Sequence, residues 1–218
     1  MFRQFMKRLL FSKRQPTMEF LQSASDIVDK SVFTFADVNF GKPAKDRIII
    51  VGVLYGTALN DSVTIGGVVA RFPWSAVDPT SHRLGIWVAK VPDGTSGDIV
   101  LDMAASTARC HIHVYRATGL REWWKAYDVG SDTDETNPLV LNILCPQNSI
   151  MLVMSRNAGG VGNCTWSVTG ERIEEESEVD AEVSSSSGSG EWNQARTVMV
   201  VSHTWSVGPA LSIGVSWI

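Results

Sequence analysis

The chain has little cysteine, no long apolar run and none of the short motifs that carry catalysis. Its 218 residues include three cysteines, Cys110, Cys145 and Cys164. They form no CxxC pair and leave one thiol over in any intramolecular pairing, which argues against a disulfide framework or a zinc ribbon and predicts reduced, buried thiols. The longest apolar run in the basic opening MFRQFMKRLLFSKRQPTMEF is Leu9, Leu10 and Phe11. That is too short for a secretory h-region, and no other stretch approaches the length of a membrane span. Synthesis in the cytoplasm without a membrane span is therefore expected. The motifs GxSxG, GxxxxGKS/T and HExxH are missing, so no nucleophile elbow, phosphate loop or zincin helix is foreseen. NAGGVGN (157–163) is rich in glycine but lies between strand patterns, so it reads as a turn and not as a phosphate cradle. A net charge of −4 gives no global attraction to nucleic acid, and no specific nucleic-acid partner is expected.

What is present is an ordinary globular balance: 44% hydrophobic, 19% charged, with eight Trp against three Tyr. From residue 18 onward the apolar residues fall into strand-like runs rich in β-branched and aromatic side chains. These are 32–40, 46–56, 62–72, 83–91, 97–103, 109–117, 139–144, 149–155, 164–173, 196–205 and 210–218. Between them NFGKPAKD, VDPTSH, PDGTSG, CPQN and SVGP supply the backbone angles that tight reversals need. Helix beyond the N-terminus is confined to a turn near LREWWKAYD. Many short strands without interleaved helices predict an all-β fold, an antiparallel β-sandwich of jelly-roll or immunoglobulin-like kind.

Two segments stand apart from that body, residues 18–218. Residues 1–17 form a short helical or extended arm with Arg3, Lys7, Arg8, Lys13 and Arg14 and no acid before Pro16. Phe2, Phe5, Met6, Leu9 and Leu10 recur along it at helical spacing. The pattern predicts a basic amphipathic arm that docks on a partner. Residues 171–193 place Glu171, Glu174, Glu175, Glu176, Glu178, Asp180 and Glu182 against a single Arg172 and then pass into a Ser/Gly run. They read as an acidic hairpin extension or a solvated, flexible loop, with a further option that arm and loop meet across neighbouring copies.

Candidate chemistry is thin. His111 and His113 stand two apart, so an extended chain points both to one face, as a metal-binding strand requires. The carboxylate that should follow is missing: Tyr115, Arg116, Ala117 and Thr118 come next, and the first acid is Glu122. His203 is the remaining third ligand, without spacing to support it. Alternation instead suggests that Cys110, Ile112 and Val114 enter the core while the histidines form the polar side of a strand. The loop 128–137, with Asp128, Asp132, Asp134 and Glu135, holds hard oxygen ligands but lacks the EF-hand order. Neither metal nor any other cofactor is expected, and no residue stands out as catalytic. Among the tryptophans, Trp87, Trp166, Trp205 and Trp217 lie within strand patterns and are expected in the core. Trp74, Trp192 and the pair Trp123 and Trp124 are left as exposed or interface candidates, the pair being suited to stacking on a host surface glycan.

DRIIIVGVLYG, SVTIGGVVARF, GIWVAKVPDGTSGDIVLDM and RCHIHVYRATGL, in this order, resemble a recurrent β-sandwich module in structural proteins of tailed bacteriophages and related prophage elements. The matching residues are Arg47 through Val53, Val63 through Gly67, Val91 through Val100, and Tyr115 through Leu120, within a span of about residues 32–120. The resemblance implies a non-enzymatic virion component, assembled in the host cytoplasm and mounted on capsid or tail as a decoration, fibre or adaptor. Its partners would be other virion proteins and copies of itself. The alternative is a receptor- or carbohydrate-binding module of a fibre.

Overall fold

The computed structural model describes residues 15–56, 60–77, 82–133, 139–158, 165–168, 174–179, 183–203 and 210–218. Residues 1–14 of the docking arm therefore lie outside the described residues, while Pro16 is buried and Thr17 already opens the first strand. The strands are β1 (Thr17–Asp26), β2 (Lys30–Asn39), β3 (Ile48–Tyr55), β4 (Asn60–Ile65), β5 (Val68–Val69), β6 (Arg71–Val77), β7 (Arg83–Lys90), β8 (Ser96–Thr107) and β9 (Cys110–Thr118). After a turn over 119–127 follow β10 (Asp128–Asp132), β11 (Leu139–Cys145), β12 (Ser149–Ala158), β13 (Thr165–Val168), β14 (Glu174–Val179), β15 (Val183–Trp192), β16 (Arg196–His203) and β17 (Ala210–Trp217). No helix occurs among the described residues, and none there is long and apolar enough to cross a membrane.

The strands form four sheets with antiparallel ladders: sheet I (β2-β8-β4-β5), sheet II (β1-β9-β3-β7-β6), sheet III (β10-β17-β12-β15-β14) and sheet IV (β11-β16-β13). The expected antiparallel sandwich is present, and it is present twice. Phe33, Phe40, Val51, Trp87 and Leu101 belong to a core between sheets I and II. Leu141, Ile143, Met151 and Trp192 belong to a smaller one between sheets III and IV. A third cluster joins the halves: Ile48, Ile50, Leu84, Ile86 and Val88 of sheet II meet Ile150, Leu152, Met154, Ile213, Val215 and Trp217 of sheet III. The layers thus stack I, II, III, IV, where a single sandwich had been expected from 18 to 218.

Burial follows from that stacking. An inner strand has both faces covered, so IIIVGVLY in β3 and ALSIGVSW in β17 are buried at every position. An outer strand covers one face, and β11 alternates buried with exposed along LVLNILC. The turns use the predicted chemistry. Gly66 and Gly67 close the β4–β5 hairpin at φ of 59° and 77°, and Asn148 takes φ of 58° in the CPQN turn.

The Ser/Gly run corrects the sequence reading most. It is not a flexible loop: VSSSSGSGEW is β15, between β12 and β14 in sheet III, with Ser184 to Ser187 and Ser189 buried. Small side chains let it lie between layers, and β14 with β15 makes the acidic segment a hairpin pair. Cys110 and Cys145 are buried and in no disulfide, as expected, whereas Cys164 lies outside the described residues.

Candidate functional site

Strand β9 runs through the middle of the stack. Cys110, Ile112 and Val114 enter the first core, as alternation predicted. Its other face is not a polar surface: His111, His113 and Tyr115 are each fully buried, because sheet III covers them. Opposite stand Ser185 and Ser187 of β15. Ser185 Oγ lies 3.1 Å from His111 Nδ1 and 2.9 Å from His113 Nε2. Ser187 Oγ lies 2.9 Å from His113 Nδ1 and 2.6 Å from the Tyr115 hydroxyl. Tyr115, Ser187, His113, Ser185 and His111 form one unbroken hydrogen-bonded chain across the joint between the sandwiches.

The electrostatics agree with that arrangement. Burial, reinforced by the neighbouring His111, lowers the His113 pKa to about 3. His113 is therefore neutral, with one ring nitrogen donating and the other accepting, so the two serine hydroxyls take opposite roles. Burial also pushes the Cys110 thiol well above its ordinary range. A serine 2.9 Å from an imidazole has the spacing of a nucleophile and its base. Here, however, Ser185 and Ser187 are 1% and 0% exposed, so neither hydroxyl meets solvent. The arrangement is a polar seam inside an otherwise apolar joint.

The third ligand suggested by sequence is far from this place. His203 ends β16 in sheet IV, and sheet III lies between it and β9. Among the described residues no three His, Cys, Asp or Glu side chains gather into a metal-holding group. The acidic loop after residue 127 has another use. Asp128 Oδ2 accepts the Leu144 N–H at 2.7 Å and Asp132 Oδ2 accepts the Val140 N–H at 2.6 Å. These carboxylates cover donors on β11, an edge strand of sheet IV. Asp134 and Glu135 lie outside the described residues.

The tryptophans divide unevenly. Trp87 and Trp217 are core, as expected. Trp192, read as an exposed or interface candidate, is 1% exposed in the core between sheets III and IV; the serine strand that carries it gave no sign of burial. Trp74 and Trp123 pack against the joint. Trp124 is 43% exposed, its ring 6.0 Å from that of Trp123 at 86°. An edge-on pair with one ring turned inward is not the flat platform on which a pyranose stacks. The side chain of Trp166 and all of Trp205 lie outside the described residues. So do the arm candidates Phe2, Arg3, Phe5, Met6, Lys7, Arg8, Leu9, Leu10, Lys13 and Arg14.

One residue of the resemblance has a role that the sequence did not disclose. Arg47 is fully buried and donates to four backbone carbonyls: Nε to Val91 at 2.6 Å, one terminal nitrogen to Phe40 and Gly41 at 3.2 and 3.0 Å, and the other to Asp93 at 2.6 Å. It ties the start of β3 to the turn before β8, so two of the matching segments are held together by one guanidinium. Five donors in a rigid fork suit that task, and a lysine ammonium could not span it.

No protein-family model matches the chain, and no curated protein matches it. Among solved structures it is similar to that of Cucumber Necrosis Virus, at 9% identity over 94% of this chain and 90% of that one, with a TM-score of 0.30. It is similar also to Melon necrotic spot virus, at 8% identity over 93% and 86%, TM-score 0.27. A plant receptor-like kinase, FER, follows at 9% identity over 96% and 90%, TM-score 0.26. At these scores the function has to be argued from the chain's own residues.

Proposed function

We propose that the chain is a non-enzymatic structural component of a virion, assembled in the host cytoplasm and mounted on a capsid or tail surface through residues 1–17. Its place there is that of a decoration, fibre or adaptor, as the resemblance to the tailed-phage module implies. The observation that supports this reading is what the matching residues do. Arg47, Gly66, Gly67 and Val91 build turns and tie strands together. The histidines that most invited a catalytic reading contribute to a buried joint. A stacked body of this kind presents surface, which is the work of an assembly subunit. The arm supplies attachment: apolar Phe2, Phe5, Met6, Leu9 and Leu10 bury area on a partner, and the cations meet an acidic surface.

Removing residues 1–16 tests the reading. The shortened chain should remain folded, with a single cooperative unfolding transition, and should fail to enter particles or to self-associate. A shortened chain that assembles as the full one does would overturn it.

A further inference from the structure

We propose that sheet III binds ordered water on its sheet IV side, at both ends of the small apolar core between those sheets. Alternation decides which side chains face that way. Along β12, Ile150, Leu152 and Met154 turn toward sheet II, and Met151 and Val153 toward sheet IV. Ser149 and Ser155 therefore face sheet IV as well. Along β17, Ile213 and Val215 face sheet II, which leaves Ser212 on the sheet IV side. Along β15, Ser185 and Ser187 meet the histidines, which leaves Ser184 and Ser186 on the other face with Trp192. Four polar atoms of this one face are buried without a hydrogen-bond partner: Ser149 Oγ, Trp192 Nε1, Ser184 Oγ and Ser212 Oγ. A folded chain rarely buries such groups dry, and four on one face call for a ligand that satisfies them.

The four atoms fall into two places. Ser149 and Trp192 are register partners on β12 and β15, with Cβ atoms about 5 Å apart, as directly opposed residues are. At the far end Ser212, Ser155 and Ser186 are register partners across β17, β12 and β15. Ser155 Oγ and Ser186 Oγ lie 3.1 Å apart. Ser212 on one flank of that pair and Ser184, two residues along β15, have no such contact. The chemistry of the lining selects the ligand. Hydroxyls and an indole N–H carry no charge, and among the described side chains of this face there is neither a carboxylate to hold a cation nor a cation to hold an anion. A neutral molecule that both donates and accepts is required. The indole only donates, so water accepts from Trp192 and meets the Ser149 hydroxyl at the same time. The serine run of β15 then has a use on each face, Ser185 and Ser187 for the imidazoles and Ser184 and Ser186 for water.

Relaxation dispersion of water oxygen, which counts long-lived internal waters, and water-exchange spectroscopy on the full chain test this. The Trp192 indole N–H should show a cross-peak to a long-lived water. Trp192→Phe, which keeps most of the ring's bulk, should lose that cross-peak and about one long-lived water, and Ser149→Ala should lose the same one. Ser212→Ala should lose about one water at the other end. Each serine variant should lower the folding equilibrium constant by about fivefold, whereas Ser62→Ala, on the exposed side of β4, should change neither quantity. A dry interior gives the opposite result, since deleting an unmatched hydroxyl then raises the folding constant and leaves the number of long-lived waters as it was; that outcome overturns the proposal. A Trp192 indole N–H without a water cross-peak overturns it at the Ser149 end, and Ser212→Ala without loss of a water overturns it at the other.

Discussion

In an unfolded chain His113 would titrate near pH 6.5, and between sheets II and III its pKa falls to about 3 because the charged imidazolium loses its water. The sign of the consequence follows from proton counting. Below pH 6.5 the unfolded state takes up a proton that the native state refuses, so stability is complete above that pH and declines as pH falls toward 3. At pH 5 the difference is about 2 kcal/mol. The groups that face His113 do not relieve it: Ser185 and Ser187 are neutral, and the neighbouring His111 lowers its pKa further. Replacing His113 with Gln keeps donor and acceptor capacity without a titrating base. Denaturant unfolding at pH 7 and pH 5 should therefore show His113→Gln losing about 2 kcal/mol less than the natural chain over that interval. Equal losses in both would show that His113 ionises freely in the folded protein. Arg47 is the contrasting case: burial lowers the pKa of its guanidinium too, but four backbone carbonyls accept its N–H groups and hold the charged form.

At the scale of strands, the close approach of sheets II and III has a sequence requirement at Gly52. A Cβ there would lie 2.0 Å from Met154 Sδ, and Met154 is itself fully buried in the joint. Gly52→Val should cost about 1–3 kcal/mol of unfolding free energy, as overpacking of a filled interior does. Met154→Ala in the same chain should return part of that loss. A double variant no more stable than Gly52→Val alone would show that the two side chains do not compete for one space. The sequence disclosed such strands unequally. IIIVGVLY and ALSIGVSW were readable because a doubly covered strand has to be apolar almost throughout, and the turns around Gly66 and Asn148 were readable from their residue types. TMEFLQSASD in β1 and VSSSSGSGEW in β15 were not. Their polar residues are suited by partners distant in sequence, such as His113 for Ser185 and Ser187, at separations of 72 and 74 residues. The seam was therefore half visible: the histidine spacing showed one side, and nothing in a run of serines shows which of them face a histidine.

At the scale of the whole molecule, the joint between the sandwiches decides whether the halves are independent. Sheet II is covered on both faces, by sheet I on one and by sheet III on the other. Separating the halves would expose Ile48, Ile50, Leu84, Ile86 and Val88 on one side and Ile150, Leu152, Ile213, Val215 and Trp217 on the other. Ten such side chains returned to water cost about 15 kcal/mol or more at roughly 1.5–3 kcal/mol each, as much as the entire stability of an ordinary domain. The buried seam adds to that cost, since His113 and Tyr115 would lose the serines that satisfy them. The turn over 119–127 is short and bonded back to β17, through Arg121 N–H to Ile218 O at 3.0 Å and Tyr127 N–H to Ser216 O at 2.8 Å. Four layers joined in this way should unfold together, in one transition seen alike by calorimetry and by tryptophan fluorescence. Residues 15–118 expressed alone should bind a hydrophobic dye and aggregate, because one face of sheet II then lacks its cover. A soluble monomeric fragment with a cooperative transition of its own, or two separate transitions in the full chain, would mean that the joint is a contact between finished domains and not a core.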